Sequence, residues 1–252
     1  GLGNATSLVK TGAGTWTLSG TNTYTGGTTI NTGILSISSD GNLGAVPGSV
    51  TAANITLNGG VLLNTGSALS LDVNRGITLG SSGGTLSSAA GTVLTYGGVM
   101  SGSGALVLGS GANTGTVILS GSNTYTGLTT VAVGTLKLGA TGGATNTPLG
   151  TTAAGTVVSD GATLDLNGYT LGTAEALTLN GLGVSSGGAL ANTGVTSATY
   201  SGLVTLGSAS SIVSTSDIVL SHTGTITGAY GLTLSGTGTG SSIASIIGTS
   251  TG

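Results

Sequence analysis

Apolar residues along this chain come mainly as pairs separated by one polar or small residue. Trp16-x-Leu18, Leu35-x-Ile37, Leu106-x-Leu108, Leu136-x-Leu138, Leu164-x-Leu166 and Leu232-x-Leu234 are examples. A period of two puts alternate side chains on one face, which predicts half-buried β-strands. Gly, Asn-Gly and Asp-Gly interrupt the runs, as at Asp40-Gly41, Asn58-Gly59, Asp160-Gly161 and Asn180-Gly181. These residues tolerate positive φ and mark turns. No run of a dozen residues carries a 3.6 period, so essentially no α-helix is expected. A sandwich needs longer strands for its double-layered core, whereas a solenoid needs only short strands joined by bends. Leu18, Ile37 and Leu57 lie about 20 residues apart, which suits one turn of a three-sided parallel β-helix. The expected fold is all-β: one continuous β-solenoid over 1–252, of roughly a dozen coils, on the order of 60 Å long at about 4.8 Å per coil.

A larger repeat runs over the coils. Leu18-Ser19-Gly20-Thr21-Asn22-Thr23-Tyr24-Thr25-Gly26 returns as Leu119-Ser120-Gly121-Ser122-Asn123-Thr124-Tyr125-Thr126-Gly127, 101 positions later. Gly83-Gly84-Thr85-Leu86 followed by Tyr96 matches Gly187-Gly188-Ala189-Leu190 followed by Tyr200. Leu8-Val9-Lys10, Leu106-Val107-Leu108 and Leu232-Thr233-Leu234 read as equivalent segments. These spacings predict internal units of approximately 1–101, 102–227 (with an inserted turn) and a partial third over 228–252. Trp16, Tyr24, Tyr96, Tyr125 and Tyr200 are read as structural repeat positions, the tyrosines stacked at corners of the coil.

Composition narrows the function classes. Gly is 52 of 252 residues, and 37% hydrophobic residues without Phe leave a narrow core of Leu, Val, Ile and Ala. Only 4% of residues are charged. Lys10, Arg75 and Lys137 are the basic residues, which excludes the clustered cations that nucleic acid or an anionic membrane surface requires. No stretch approaches the ~20 apolar residues of a membrane span. The absence of Cys fits an exported bacterial protein. A start at Gly1 without a charged leader reads as a mature or excised piece, and both ends fall within repeat-like sequence.

Candidate chemistry is sparse. The acids are Asp40, Asp72, Asp160, Asp165, Asp217 and Glu175. Glycoside hydrolysis needs two facing carboxylates. Asp160 and Asp165 are the closest such pair, but Asp160 sits in a turn and Asp165 alternates with core leucines and so points outward. Asp72 and Arg75 read as a local surface ion pair. His222 has no Cys or second His to complete a metal site, and no base stands beside a nucleophile. No catalytic residue, cofactor or metal ligand is assigned. Thr pairs such as Thr23-x-Thr25 and Thr225-x-Thr227 are too sparse for an ice-binding face. Asn4-Ala5-Thr6 and Asn54-Ile55-Thr56 match the glycosylation sequon.

Lys10-Thr11-Gly12-Ala13-Gly14-Thr15-Trp16-Thr17-Leu18-Ser19-Gly20, then Asn22-Thr23-Tyr24-Thr25-Gly26-Gly27-Thr28-Thr29-Ile30 and Gly33-Ile34-Leu35, resembles the passenger-associated repeat of bacterial autotransporters. Thr129-Thr130-Val131 and Gly134-Thr135-Leu136 continue the second copy. The resemblance implies a right-handed parallel β-helix outside a diderm bacterium. Such passengers pass through a C-terminal membrane β-barrel; the lack of long amphipathic strands and of a terminal aromatic here reads as a barrel either removed or never present. The expected function is a structural, non-catalytic surface protein, either a stalk or adhesin passenger or a self-assembling fibre subunit. Its partners are expected to be copies of itself, end to end or side by side, or surface glycans and host surfaces. A glycan-binding adhesin is the alternative, marked by a coil row of exposed Tyr and Asn. A polysaccharide lyase or hydrolase is disfavoured by the scattered acids.

Overall fold

The computed structural model describes residues 5–248. The chain winds through about ten turns of a parallel β-solenoid, every strand pairing in parallel with its counterpart one turn on. Successive partners are 19 to 29 residues apart: Thr15 pairs with Ile34, Leu8 with Thr28, Thr28 with Ile55, and Gly181 with Ser210. No α-helix occurs among the described residues; two short 3-10 turns, Asp40–Leu43 and Val184–Ser186, fill loops.

Three strand positions recur in each turn. The first sheet begins Leu8–Lys10, Thr28–Ile30, Thr51–Leu57, Arg75–Leu79 and Met100–Gly102. The second begins Thr15–Leu18, Ile34–Ile37 and Val61–Asn64, and continues through Leu106–Leu108, Thr129–Val131, Thr156–Val158 and Leu177–Gly181. The third runs through Ala68–Leu71, Thr114–Leu119, Gly134–Leu138, Ala162–Asp165, Leu190–Asn192 and Leu232–Gly236. Two long strands, Gly84–Tyr96 and Val204–Ser214, turn the corner from the second sheet to the third.

Period-two alternation sends one residue in and the next out, so inward residues stack in columns along the axis. One column on the second sheet is Leu35, Leu62, Leu86, Leu108, Val131, Val158, Leu179 and Leu206. Another on the third sheet is Leu69, Leu94, Val117, Leu136, Leu164, Leu190 and Ile212. All but Trp16, which starts the second-sheet column at its open end, are buried. Branched side chains of similar size fill such a lumen without gaps, and each methylene removed from water contributes about 0.8 kcal/mol.

The repeat and the coil are out of step. Thr28–Ile30 lies on the first sheet, but its sequence equivalent Thr129–Val131 lies on the second. Leu8–Lys10, Leu106–Leu108 and Leu232–Gly236 likewise occupy the first, second and third sheets in turn. A shift of about 100 residues is thus four turns and one further side of the coil. Spacing along the sequence does not distinguish a whole turn from a turn plus one side, because each side holds a similar short strand. Leu57 shows the ambiguity: it stacks on Ile30 in the first sheet, whereas Leu18 and Ile37 pair in the second.

Candidate functional site

The repeat tyrosines build the same local structure twice. The Tyr24 hydroxyl lies 2.7 Å from Thr28 Oγ1, and the Tyr125 hydroxyl 2.6 Å from Thr129 Oγ1. Ala45 N donates to Tyr24 O, and Thr151 N to Tyr125 O. Beside each ring the chain carries a glycine at positive φ, Gly44 and Gly150, where a Cβ would strike the aromatic ring. The second tyrosine pair matches as closely. Tyr96 donates to Arg75 O at 2.7 Å, and Tyr200 donates to Glu175 O at 2.9 Å. Tyr96, Tyr125 and Tyr200 are fully buried, Tyr24 is half-buried and Trp16 is 68% exposed. Burial raises the ionisation of all four phenols, so they stay neutral hydrogen-bonding groups.

Arg75 and Glu175 therefore stand at corresponding places, and both are fully buried. Arg75 is not paired with Asp72, as its sequence neighbourhood suggested. Asp72 Oδ1 folds back to accept Asn74 N, while coil stacking brings Asp40 alongside from 35 residues earlier. The guanidinium Nε donates to Asp40 Oδ1 at 2.9 Å and Nη2 to Oδ2 at 3.1 Å. Its remaining protons reach Leu43 O, Gly44 O and Asn54 Oδ1. A buried cation is tolerable when a counter-charge and enough acceptors replace water. Asn54 also belongs to a sequon, yet it is buried against Arg75, which leaves it unfit to carry a glycan. Asn4 of the other sequon lies outside the described residues.

Glu175 has no such company. Thr156 Oγ1 donates to Oε1 at 2.5 Å, and Oε2 has no partner. Burial pushes its ionisation up to about 7, against the Thr156 hydrogen bond. In the sequence this acid is the single Glu, and it falls in the alternation of Leu171, Leu177 and Leu179.

The other candidates separate. Asp160 is exposed in its turn. Asp165 does leave the core row, but it is covered rather than exposed. Lys137 Nζ lies 3.2 Å from Oδ2, Thr193 Oγ1 donates to the same oxygen at 2.5 Å, and Asn167 N and Thr193 N donate to Oδ1. Both carboxylate oxygens are thus occupied by donors from its own and neighbouring coils. Asp217 accepts Gly240 N from the next coil, and His222 Nδ1 accepts Gly224 N within a local turn. Lys10 Nζ donates to Thr11 O, Gly12 O and Thr32 O, tying down the first corner. Among the described residues no three His, Cys, Asp or Glu side chains converge as metal ligands would.

Parallel coils carrying two copies of this tyrosine–threonine motif are similar to one class of protein, the passengers of autotransporters. The family described as passenger-associated-transport-repeat matches residues 8–37 and 113–138, the two segments that build the Tyr24 and Tyr125 corners. This passenger repeat indicates an extracellular, cell-surface location. Within that class it is similar to the adhesin BmaC autotransporter of Brucella suis biovar 1 (strain 1330), with 37% identity over 143 residues. The match covers 54% of this chain and 4% of that adhesin, so the chain spans a small part of the length of its relative. No solved structure matches the chain.

Proposed function

We propose that the chain is a non-catalytic rod segment of an adhesin-like surface passenger, holding adhesive contacts away from the cell. One observation carries this reading: the three basic side chains and three of the six tyrosines are committed to holding coils together. Arg75 and Lys10 are saturated by carbonyls and Asp40, and Tyr96, Tyr125 and Tyr200 face the core. The likeness to an adhesin supports the cell-surface role. The repeat tyrosines and Trp16 act as structural positions of the coil in this reading. The test displays the chain on a bacterial surface between a generic anchor and an unrelated adhesive tip. A rod raises tip-dependent adhesion and leaves tip-free cells non-adherent. Adhesion without the tip would instead assign binding to the rod itself.

A glycan-binding face would need exposed tyrosines in a row. Tyr230 is the tyrosine above half exposure among the described residues, and Tyr24 and Tyr169 are half-buried. Self-association is the second reading, supported by the last described coils. There Leu234 and Ile247 are more than half exposed around a cavity of about 300 Å³ that Ile212, Ile218, Leu220 and Ile243 also line, and Ile246 beside them is exposed as well. A second copy stacked on this rung would cover them. Electron microscopy across a dilution series separates the readings: filaments support stacking of copies, and short single rods remove it.

A further inference from the structure

The interior of the rod holds two polar atoms without a partner among the described residues, Glu175 Oε2 and Thr173 Oγ1. They belong to the segment that leads through a bend at Gly172 and Thr173 into the strand Leu177–Gly181; along it Leu171, Thr173, Glu175, Leu177 and Leu179 are buried and the residues between them are not. Both side chains thus point into the same lumen, two residues apart. An ionised carboxylate there would have one hydroxyl donor, Thr156, and no counter-charge. The titratable groups facing it are Tyr125, from the 123–127 segment below, and Tyr200, from Ala198–Tyr200 above. Both are buried phenols, and neither supplies positive charge. The corresponding place in the first copy is occupied by Arg75, whose charge Asp40 balances through two hydrogen bonds. The second copy puts an acid in that place and no base beside it.

We infer that Glu175 is a built-in proton site: the folded rod carries its acid form, one proton is taken up as these coils fold, and they loosen when that proton leaves. The neutral acid removes the cost of burying an unpaired charge. Its hydroxyl also turns one orphan acceptor into a donor, and Thr173 Oγ1 on the same inward row can accept from it through a water. No bond other than O–H is made or broken; the proton comes from solvent and returns to it.

The direction with pH follows from the difference between folded and unfolded chain. Below about pH 4.5 both states hold the proton and stability is greatest; the folded acid keeps it up to about 7, while the unfolded chain has lost it. Between those values the folded state binds more protons, so stability falls as pH rises, and above about 7 it levels at its lowest. Two and a half pH units of such linkage amount to an unfolding constant larger by about 300-fold across the window.

The experiment follows urea unfolding of the wild-type chain and Glu175→Gln from pH 4 to 9, read by hydrogen exchange at Leu177 and Tyr200. The wild type is expected to lose protection between pH 5 and 8, and the Gln variant, which mimics the neutral acid, to stay level. An equal pH slope in both proteins, or no slope in the wild type, overturns the inference. Infrared spectra of the folded wild type at pH 6 give a readout that needs no variant. A protonated carboxyl C=O band that disappears on alkalinisation supports the site, and its absence at pH 6 refutes it. None of these outcomes depends on whether the rod adheres to anything.

Discussion

The two copies of the repeat follow the same backbone path, yet they solve the same interior problem with opposite charges. Around Tyr24 the lumen holds Arg75, clamped by Asp40 and by backbone carbonyls of the 3-10 turn Asp40–Leu43 and of Gly44. Around Tyr125 the lumen holds Glu175, with Thr156 as its donor and one oxygen unpartnered. The Arg75 and Glu175 carbonyls nevertheless accept the same bond from Tyr96 and Tyr200. The backbone hydrogen bonds fix the coil, and the side chain at this place is free to differ provided its charge is dealt with locally. Position along the rod makes the second difference. Trp16 starts a column at the outermost described coil and is 68% exposed, whereas Val117 at the corresponding place is 2% exposed between two neighbouring coils. Asn22 Nδ2 donates to Gly20 O beside it and to Asn42 O in the next turn, while Asn123 is gripped from both sides by Met100 N and Pro148 O. A solenoid coil draws much of its stability from its neighbours, so identical motifs differ in worth with their place in the stack.

Arg75→Met makes the widest separation between the copies. It strands Asp40 and the carbonyls facing the guanidinium, and is expected to lower the unfolding free energy by about 3–5 kcal/mol. Glu175→Gln at pH 8 is expected to leave stability equal or higher; a loss as large as that of Arg75→Met would mean that both charges are needed and would erase the contrast. Urea melts of the two variants decide it. Tyr125→Ala comes next, at about 3–5 kcal/mol for a fully buried aromatic, with Tyr24→Ala at roughly half that because its ring is half-buried. Equal losses in thermal or urea melts would show that the outer copy is packed as tightly as the inner one. Asn123→Ala leaves Met100 N and Pro148 O without partners inside the rod and is expected to cost about 1–3 kcal/mol, against about 1 kcal/mol or less for Asn22→Ala. The smallest effect belongs to Trp16→Val, within about 0.5 kcal/mol of wild type. The same residue reports on assembly: iodide is expected to quench Trp16 fluorescence freely in dilute protein, and protection that grows with concentration would show that another copy covers this end.

Much of the coil was legible in the residues. The Leu-x-Leu pairs mark inward rows correctly at Leu106–Leu108, Leu136–Leu138 and Leu177–Leu179. The tyrosine repeat marks the two corners that share one hydrogen-bond pattern. Other features were hidden for physical reasons. The Asp40–Arg75 pair spans 35 residues, and only the stacking of coils brings it together, so the nearer Asp72 looked the better partner. Asp165 obeys the alternation that sends it outward, but Lys137 from the preceding coil and the Thr193 loop cover it afterwards. Glu175 alternates inward with Leu171 and Leu177, which is a readable signal, though acids are so rarely buried unpaired that the pattern invites dismissal.

The sequence by itself determined that this chain is a β-solenoid with a narrow aliphatic lumen and a recurring tyrosine corner. Alternation, turn residues and the 101-residue recurrence are local properties that survive without knowledge of neighbours. Only the tertiary structure decided which side of the coil each copy occupies, which charge faces which, and which member of a repeated pair is buried. Those outcomes depend on variable loop lengths summed over several turns, and on contacts between residues 20 to 35 positions apart. Stacking in register creates such contacts, and no single segment encodes them.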